Sequence, residues 1–294
     1  MDIKIMYKAK TFMYKNARLL DRRRFEYFFE GGSKEAVISA LAAYQNPDGG
    51  FGNALEPDIR CPQSQPIATE VALLIMDEIG CYDQDMIRGI VNYLRSITVE
   101  AGGFPVALPV LHEYPHAPWW SNHKELIANI NPTGRMMGLL LKQQAVNDFY
   151  NEEWFQQSLR FVWSYMEEKH PEEYHDGVQW ITFLEHVPDR QRAEIIINSK
   201  LDPALSKSET MERDPNAEGY THKVLDWAPS RESYAAKFIS ESEFDVHLSH
   251  LLNGQMEDGG WPINWPEISP GVGLEWRGFI TVDRLKTLKS FGLL

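Results

Sequence analysis

The stretch Gln45-Asn46-Pro47-Asp48-Gly49-Gly50-Phe51-Gly52 returns near the far end of the chain as Gln255-Met256-Glu257-Asp258-Gly259-Gly260-Trp261-Pro262. A shorter copy, Glu100-Ala101-Gly102-Gly103-Phe104-Pro105, lies between them. Self-similarity of this kind marks an architecture built from repeated units. The interval from Gly102 to Gly259 is close to three times that from Gly49 to Gly102. That spacing fits five units, with His175-Asp176-Gly177 and Ala217-Glu218-Gly219 as degenerate copies.

Each clear unit has one layout. An amphipathic helix is expected over 34–44, 84–96 and 241–252, where apolar residues such as Ile87, Ile90, Val91 and Leu94 recur at helical spacing. A Gly-Gly turn stops it, because glycine tolerates positive φ. Phe51, Phe104 or Trp261 then plugs the turn. A second, more apolar helix follows, over 67–79, 133–144 and 276–290, and further helices are expected over 152–168, 178–187, 190–199 and 232–239. Sustained alternation of β-branched residues is scarce, so strands are not expected. Helix pairs can stack as an open solenoid or close into a ring. The run Gly134-Arg135-Met136-Met137-Gly138-Leu139-Leu140-Leu141 is apolar on most faces and wants burial on most sides, which an inner ring supplies. The expected fold is therefore all-α, an α/α toroid of five to six helix hairpins, with 1–294 forming a single domain.

Hydrophobic residues make up 43% of the 294 and charged residues 24%, enough for a packed core. The formal net charge of −13 argues against nucleic acid as the main partner and does not favour an anionic membrane surface. The one basic run, Arg22-Arg23-Arg24, reads as a solvated helix face. Two cysteines, Cys61 and Cys81, are too few for a disulfide-stapled secreted domain. No apolar segment has the length of a signal peptide core or a membrane helix. The expectation is a cytoplasmic protein without stable membrane insertion.

The repeat resembles that of the squalene/oxidosqualene cyclases and the β subunits of protein prenyltransferases, in its Gln-x-x-Asp-Gly-Gly-Phe-Gly and Gln-x-x-Asp-Gly-Gly-Trp forms. The resemblance implies an α/α toroid with a funnel-shaped pocket at one end of the inner ring, where members of the family bind isoprenoid chains. It also implies a scaffold role for Gln45, Asp48, Gln255 and Asp258. The family's catalytic signatures do not carry over. The sequence has no Asp-Asp dipeptide, so the Asp-x-Asp-Asp acid motif is missing, and Asp83-Gln84-Asp85 reads as a helix cap. Asp58-Ile59-Arg60-Cys61 lacks the Asp-x-Cys spacing of the zinc set. No metal and no cofactor are expected.

Other chemistry has to come from loops between the helices. Glu56 and Asp58, close to Arg60, offer two carboxylates for acid/base work, or for capping and pairing with Arg60. His112-Glu113-Tyr114-Pro115-His116 spells a zinc-protease motif, but that motif needs a helix and Pro115 breaks one. With Trp119 and Trp120, His112 and His116 form either a self-packed lid or a pocket wall. Glu275-Trp276-Arg277 places a carboxylate and a guanidinium around an indole at an expected helix start, where Arg277 can hold an anion or pair with Glu275 or Asp283. His222, Asp226 and Trp227 accompany the fourth loop, and His175, Asp176 and Trp180 the third. Glu56, Asp58, Asp226 and Glu275 are thus the candidate catalytic groups. His112, His116, Trp119, Trp120, Trp180, His222, Trp276 and Arg277 are the candidate substrate-binding ones.

There is no Gly-x-Ser-x-Gly elbow and no P-loop. Aromatic rings with scattered carboxylates suit a hydrophobic, isoprenoid-like ligand, whose carbocations π faces stabilise. They suit equally a sugar-like one, hydrolysed between paired carboxylates. The expected partner is such a small molecule. A carbohydrate-active barrel and a non-catalytic ring that holds a peptide or protein are the rival readings.

Overall fold

A computed structural model of the protein describes residues 3–294 and is mostly helical. In chain order the helices are α1 (Ile3–Asn16), α2 (Leu19–Phe29), α3 (Lys34–Ala42), α4 (Pro66–Glu78), α5 (Gln84–Ile97), α6 (Ile130–Lys142), α7 (Glu153–Glu168), α8 (Tyr174–His186), α9 (Arg190–Ile196), α10 (Asp202–Leu205), α11 (Val224–Trp227), α12 (Glu241–Asn253) and α13 (Pro270–Ser290). Two-residue strands at Phe104–Pro105 and Ala128–Asn129 pair antiparallel and form one small ribbon. The described residues fall into two compact units. One holds the chain up to Ala40 together with Leu205–Leu294, and the other is Leu41–Ala204.

In the unit 41–204, α5 buries Ile87, Ile90, Val91 and Leu94, the stripe read from the sequence. Asp83 caps α5, its carboxylate accepting the Met86 N–H at 2.9 Å. The closest helix pair is α6 with α8. Gly138 makes it possible: a Cβ there would lie 2.6 Å from the Thr182 carbonyl of α8. Helices α4 and α7 also pack against α6.

The repeated turns share one hydrogen-bonding scheme. Gln45 Nε2 donates to the carbonyls of Gly49 (2.9 Å) and Met86 (3.2 Å), and Asp48 Oδ1 accepts the Gly50 N–H at 3.0 Å. The N–H of Phe51 donates to Thr69 Oγ1 of the following helix at 3.1 Å. In the second turn Phe104 N–H donates to Thr133 Oγ1 at 2.9 Å. Each turn also abuts the second helix after it in the chain. A Cβ on Gly49 would meet the Gly89 carbonyl of α5 at 2.1 Å, and one on Gly102 would meet that of Gln157 in α7 at 2.3 Å.

The unit formed by the two chain ends uses the same scheme. Gln255 Nε2 donates to Gly259 O (2.9 Å) and to Ile5 O in α1 (3.0 Å). Asp258 Oδ1 accepts the Gly260 N–H at 3.1 Å, and Trp261 N–H donates to Thr281 Oγ1 at 3.2 Å. A Cβ on Gly259 would lie 2.1 Å from the carbonyl of Lys8 in α1. The scaffold role of Gln45, Asp48, Gln255 and Asp258 is thus visible bond by bond.

Several expectations need correction. His175-Asp176-Gly177 is no turn but the start of α8. Helix α13 begins at Pro270, before Trp276, because Ser269 accepts the Val272 N–H at 3.3 Å and Pro270 fills a first-turn position that lacks an N–H partner. The segment 232–239 is only a 3-10 turn, Tyr234–Phe238, and the helix expected over 190–199 ends at Ile196 in a π turn, Ile197–Leu201. Helices α1 and α2 escaped the sequence reading. In α2 the basic run is not a solvated face throughout: Arg24 is 1% exposed. It pairs with Asp21 (3.1 Å) and Asp283 (2.8 Å), and its guanidinium lies 4.1 Å from the centre of the Phe279 ring. A buried guanidinium is stable only when its charge is met in this way.

Candidate functional site

Among the buried polar side chains of the unit 41–204, one set is connected through a carboxyl group. Glu70 sits in the middle of α4 and is buried. Its Oε1 accepts Gln179 Nε2 of α8 at 2.7 Å and faces Arg135 Nη1 of α6 at 3.4 Å. Gln179 in turn accepts the Arg135 backbone N–H at 2.6 Å, and its amide also donates to Asn131 Oδ1 at 3.1 Å. Three helices therefore contribute to a single carboxyl group.

The electrostatics follow from this burial. Desolvation pushes the Glu70 carboxyl above its usual range, and the Arg135 charge and the Gln179 amide only partly oppose it. Nearby His175 is driven down, first by burial and also by Arg135, with Glu173 working against. Asp176 is raised by burial, and Tyr165, whose hydroxyl donates to Asp176 Oδ2 at 3.3 Å, is pushed to about 12 by burial and by that carboxylate. A carboxyl whose hold on a proton is strengthened by burial, with one oxygen already bonded, has the character used in general acids.

The nominated residues of this unit lie on two loops that zip together. Ile59 and His116 form an antiparallel bridge, Ala117 N–H donates to Asp58 O at 3.0 Å, and Arg60 N–H donates to Pro115 O at 3.0 Å. Glu56 and Asp58 are buried there, at 5% and 2% exposure. Below them Ile59, Cys61, Ile67, Ala107 and Leu111 pack into one apolar cluster, joined by Tyr114 and Trp120. His112 and His116 stand edge to face, 5.3 Å apart. Each is tied to the backbone of its own loop, His112 Nε2 to His123 O at 3.0 Å and His116 Nδ1 to Tyr114 O at 2.7 Å. The backbone is 3-10 at Pro109–Glu113 and extended at Tyr114, so the two histidines do not stack on a helix. Among the described residues no group of three or more His, Cys, Asp or Glu side chains is placed to hold a metal ion. Trp119 is exposed, whereas Trp180 is completely buried on α8.

The remaining nominated residues belong to the other unit. Asp226 Oδ1 accepts Arg284 Nη1 at 2.7 Å and its Oδ2 caps α11 by accepting the Lys223 N–H at 2.8 Å. Burial alone would raise its carboxyl; Arg284 and the cap outweigh that and hold it below its usual range. Arg277 is not available to an anion in the way the sequence suggested. Its Nη2 pairs with Asp258 at 2.7 Å, its Nε donates to Trp261 O at 3.2 Å, and its guanidinium covers the Phe12 ring at 4.6 Å. Neither Glu275 nor Asp283 is the partner found; the repeat turn itself takes up the charge. His222, Glu275 and Trp276 lie in the same unit, half-buried.

Sequence reasoning missed Glu70, Arg135, Gln179 and Asn131. The signal was present: Glu70 is the one charge in the run from Pro66 to Met76, and Arg135 the one charge from Ile130 to Leu141. Comparison with known proteins adds nothing to this geometry. No family model, no curated protein and no solved structure matches the chain.

Proposed function

We propose that the chain is an α/α toroid of the terpene cyclase and prenyltransferase kind, and that it binds a hydrophobic, isoprenoid-like small molecule against its inner helices. The observation that carries the reading is the contact of the last turn. Gln45 and Gly49 lock their turn onto α5, the second helix after it in the chain, and Gln255 and Gly259 lock theirs, by the same bonds, onto α1. For this last turn α1 takes the place that α5 takes for the first, as in a ring that closes on itself.

An inner helix that is apolar on most faces favours an apolar ligand, and a buried acid such as Glu70 is the proton donor this reading assigns. Among the described residues no helix is long and apolar enough to cross a membrane.

The reading is tested by a native mass spectrum of the protein purified from cells, together with titration of the purified chain with farnesol. A retained organic molecule that solvent extraction removes, or saturable farnesol binding, is the expected result. Protein that carries no small molecule and does not bind farnesol overturns it.

A further inference from the structure

We infer that the unit formed by the two chain ends carries a binding site for a neutral pyranose ring, built by Tyr220, Thr221, Trp265 and Trp276. The site does not depend on whether the helices close into a ring, because every residue in it belongs to one unit.

The first observation is the arrangement of the rings. Trp265 stands 5.2 Å from Trp276 at 89°, and 6.0 Å from Tyr220 at 88°. Tyr220 meets His222 at 5.0 Å, and Trp276 meets Phe279 at 5.9 Å. Perpendicular rings at these distances leave flat faces turned in different directions. The loop is fixed in place, since Asn264 Nδ2 donates to the Thr221 carbonyl at 3.0 Å. Tyr220 is 56% exposed, so the cluster opens to solvent on its side.

The second observation is independent of the first. Trp265 Nε1, Trp276 Nε1 and Thr221 Oγ1 are out of solvent reach and have no hydrogen-bond partner. Buried indole N–H groups normally find an acceptor, and leaving one unmet costs free energy. Edge-to-face packing of Trp265 and Trp276 offers a π face to one of the two N–H groups at most. At least one indole donor of this aromatic cluster, and the Thr221 hydroxyl beside Tyr220 in the chain, are thus without a partner.

Together these select the ligand. Aromatic walls alone would suit an alkyl chain or an ammonium cation. N–H donors in the wall disfavour a cation, as does Arg24 over Phe279 at the edge of the same cluster. An alkyl chain would leave the donors unmet. A pyranose offers apolar C–H faces to the rings and neutral oxygens to the N–H and O–H groups, so it meets both demands.

The test uses the full chain labelled with ¹⁵N and titrated with methyl β-D-glucopyranoside, methyl α-D-glucopyranoside and methyl β-D-galactopyranoside. The indole signals of Trp265 and Trp276 are assigned by Trp265→Phe and Trp276→Phe, with far-UV circular dichroism and melting checked for both. The expected result is a saturable shift of these two signals with at least one sugar, weakened about tenfold or more in either variant and unchanged in Trp163→Phe, which lies on α7 of the other unit. Indole signals that stay still with all three sugars overturn the inference. So does a response of the same signals to tetramethylammonium or to hexane-1-ol in place of the sugars. If a variant does not fold, the wild-type titration with Trp163→Phe as control decides alone. Farnesol binding in the absence of any sugar response would leave the ring reading standing and this site refuted.

Discussion

Gly259 lies against Lys8 so closely that its α-carbon has room for no side chain: a Cβ would sit 2.1 Å from the Lys8 carbonyl oxygen. Gly259 also has φ of +99°, in the region that disfavours other residues. Gly259→Ala therefore combines a backbone penalty of about 1–2 kcal/mol with overpacking of about 1–3 kcal/mol. Gly219→Ala is the control, since its φ is +83° but nothing lies within 4 Å of the added Cβ. Urea unfolding should show a loss of about 1 kcal/mol for Gly219→Ala and at least about twice that for Gly259→Ala. Equal losses would mean that the contact with α1 is not tight.

The threonines behind the turns make a second prediction. Thr69, Thr133 and Thr281 each accept the backbone N–H of the aromatic residue that follows the glycine pair. All three are 0% exposed. Valine has the same shape without the acceptor. Thr281→Val should then lower stability by about 1–3 kcal/mol, the cost of a buried N–H without a partner. Thr281→Ser keeps the oxygen and should recover part of it. A valine variant as stable as the parent would show that the bond is replaceable.

These threonines also show what was legible in the sequence. The glycine pairs, the glutamines and the aromatic plugs were readable because they are local: their spacing along the chain is their spacing in space. The threonine partners are eighteen to twenty-nine residues away, at intervals set by loops of different length, so no fixed offset reveals them. The ion pair of Arg24 with Asp283 crosses nearly the whole chain and buries one residue of a run read as solvated. Glu70 was passed over for a related reason. The carboxylates in loops drew notice by their neighbours, whereas Glu70 acquires Arg135 and Gln179 only when α4, α6 and α8 meet.

Glu70 gives a pH dependence of definite sign. Its folded carboxyl is raised by burial above the value of 4.5 it has when exposed. The native state thus holds this proton more tightly than the unfolded chain. The stabilisation is complete below pH 4.5 and is lost as pH rises through the raised value. Glu70→Gln removes that titration. Its stability relative to the parent should improve as pH increases from about 4 to neutrality, measured by urea unfolding across the range. A difference that moves the other way would mean that Arg135 outweighs burial and holds Glu70 ionised.

Asp226 should behave in the opposite sense. Burial would raise its carboxyl, yet the Arg284 charge and bond, with the Lys223 N–H, bring it below its usual 3.8. Its contribution is therefore present above pH 3.8 and fades as pH falls through the lowered value. Asp226→Asn should cost about 1–3 kcal/mol at neutral pH, between the values for exposed and buried pairs, because neither partner is fully covered. Arg284→Met should cost a comparable amount. The double variant should cost clearly less than the two added together, since each single change already breaks the same pair. In acid the Asp226→Asn loss should shrink. If instead the variant keeps its stability at every pH while a bound ligand is lost, Asp226 belongs to a binding site and the Arg284 pair is incidental to the fold.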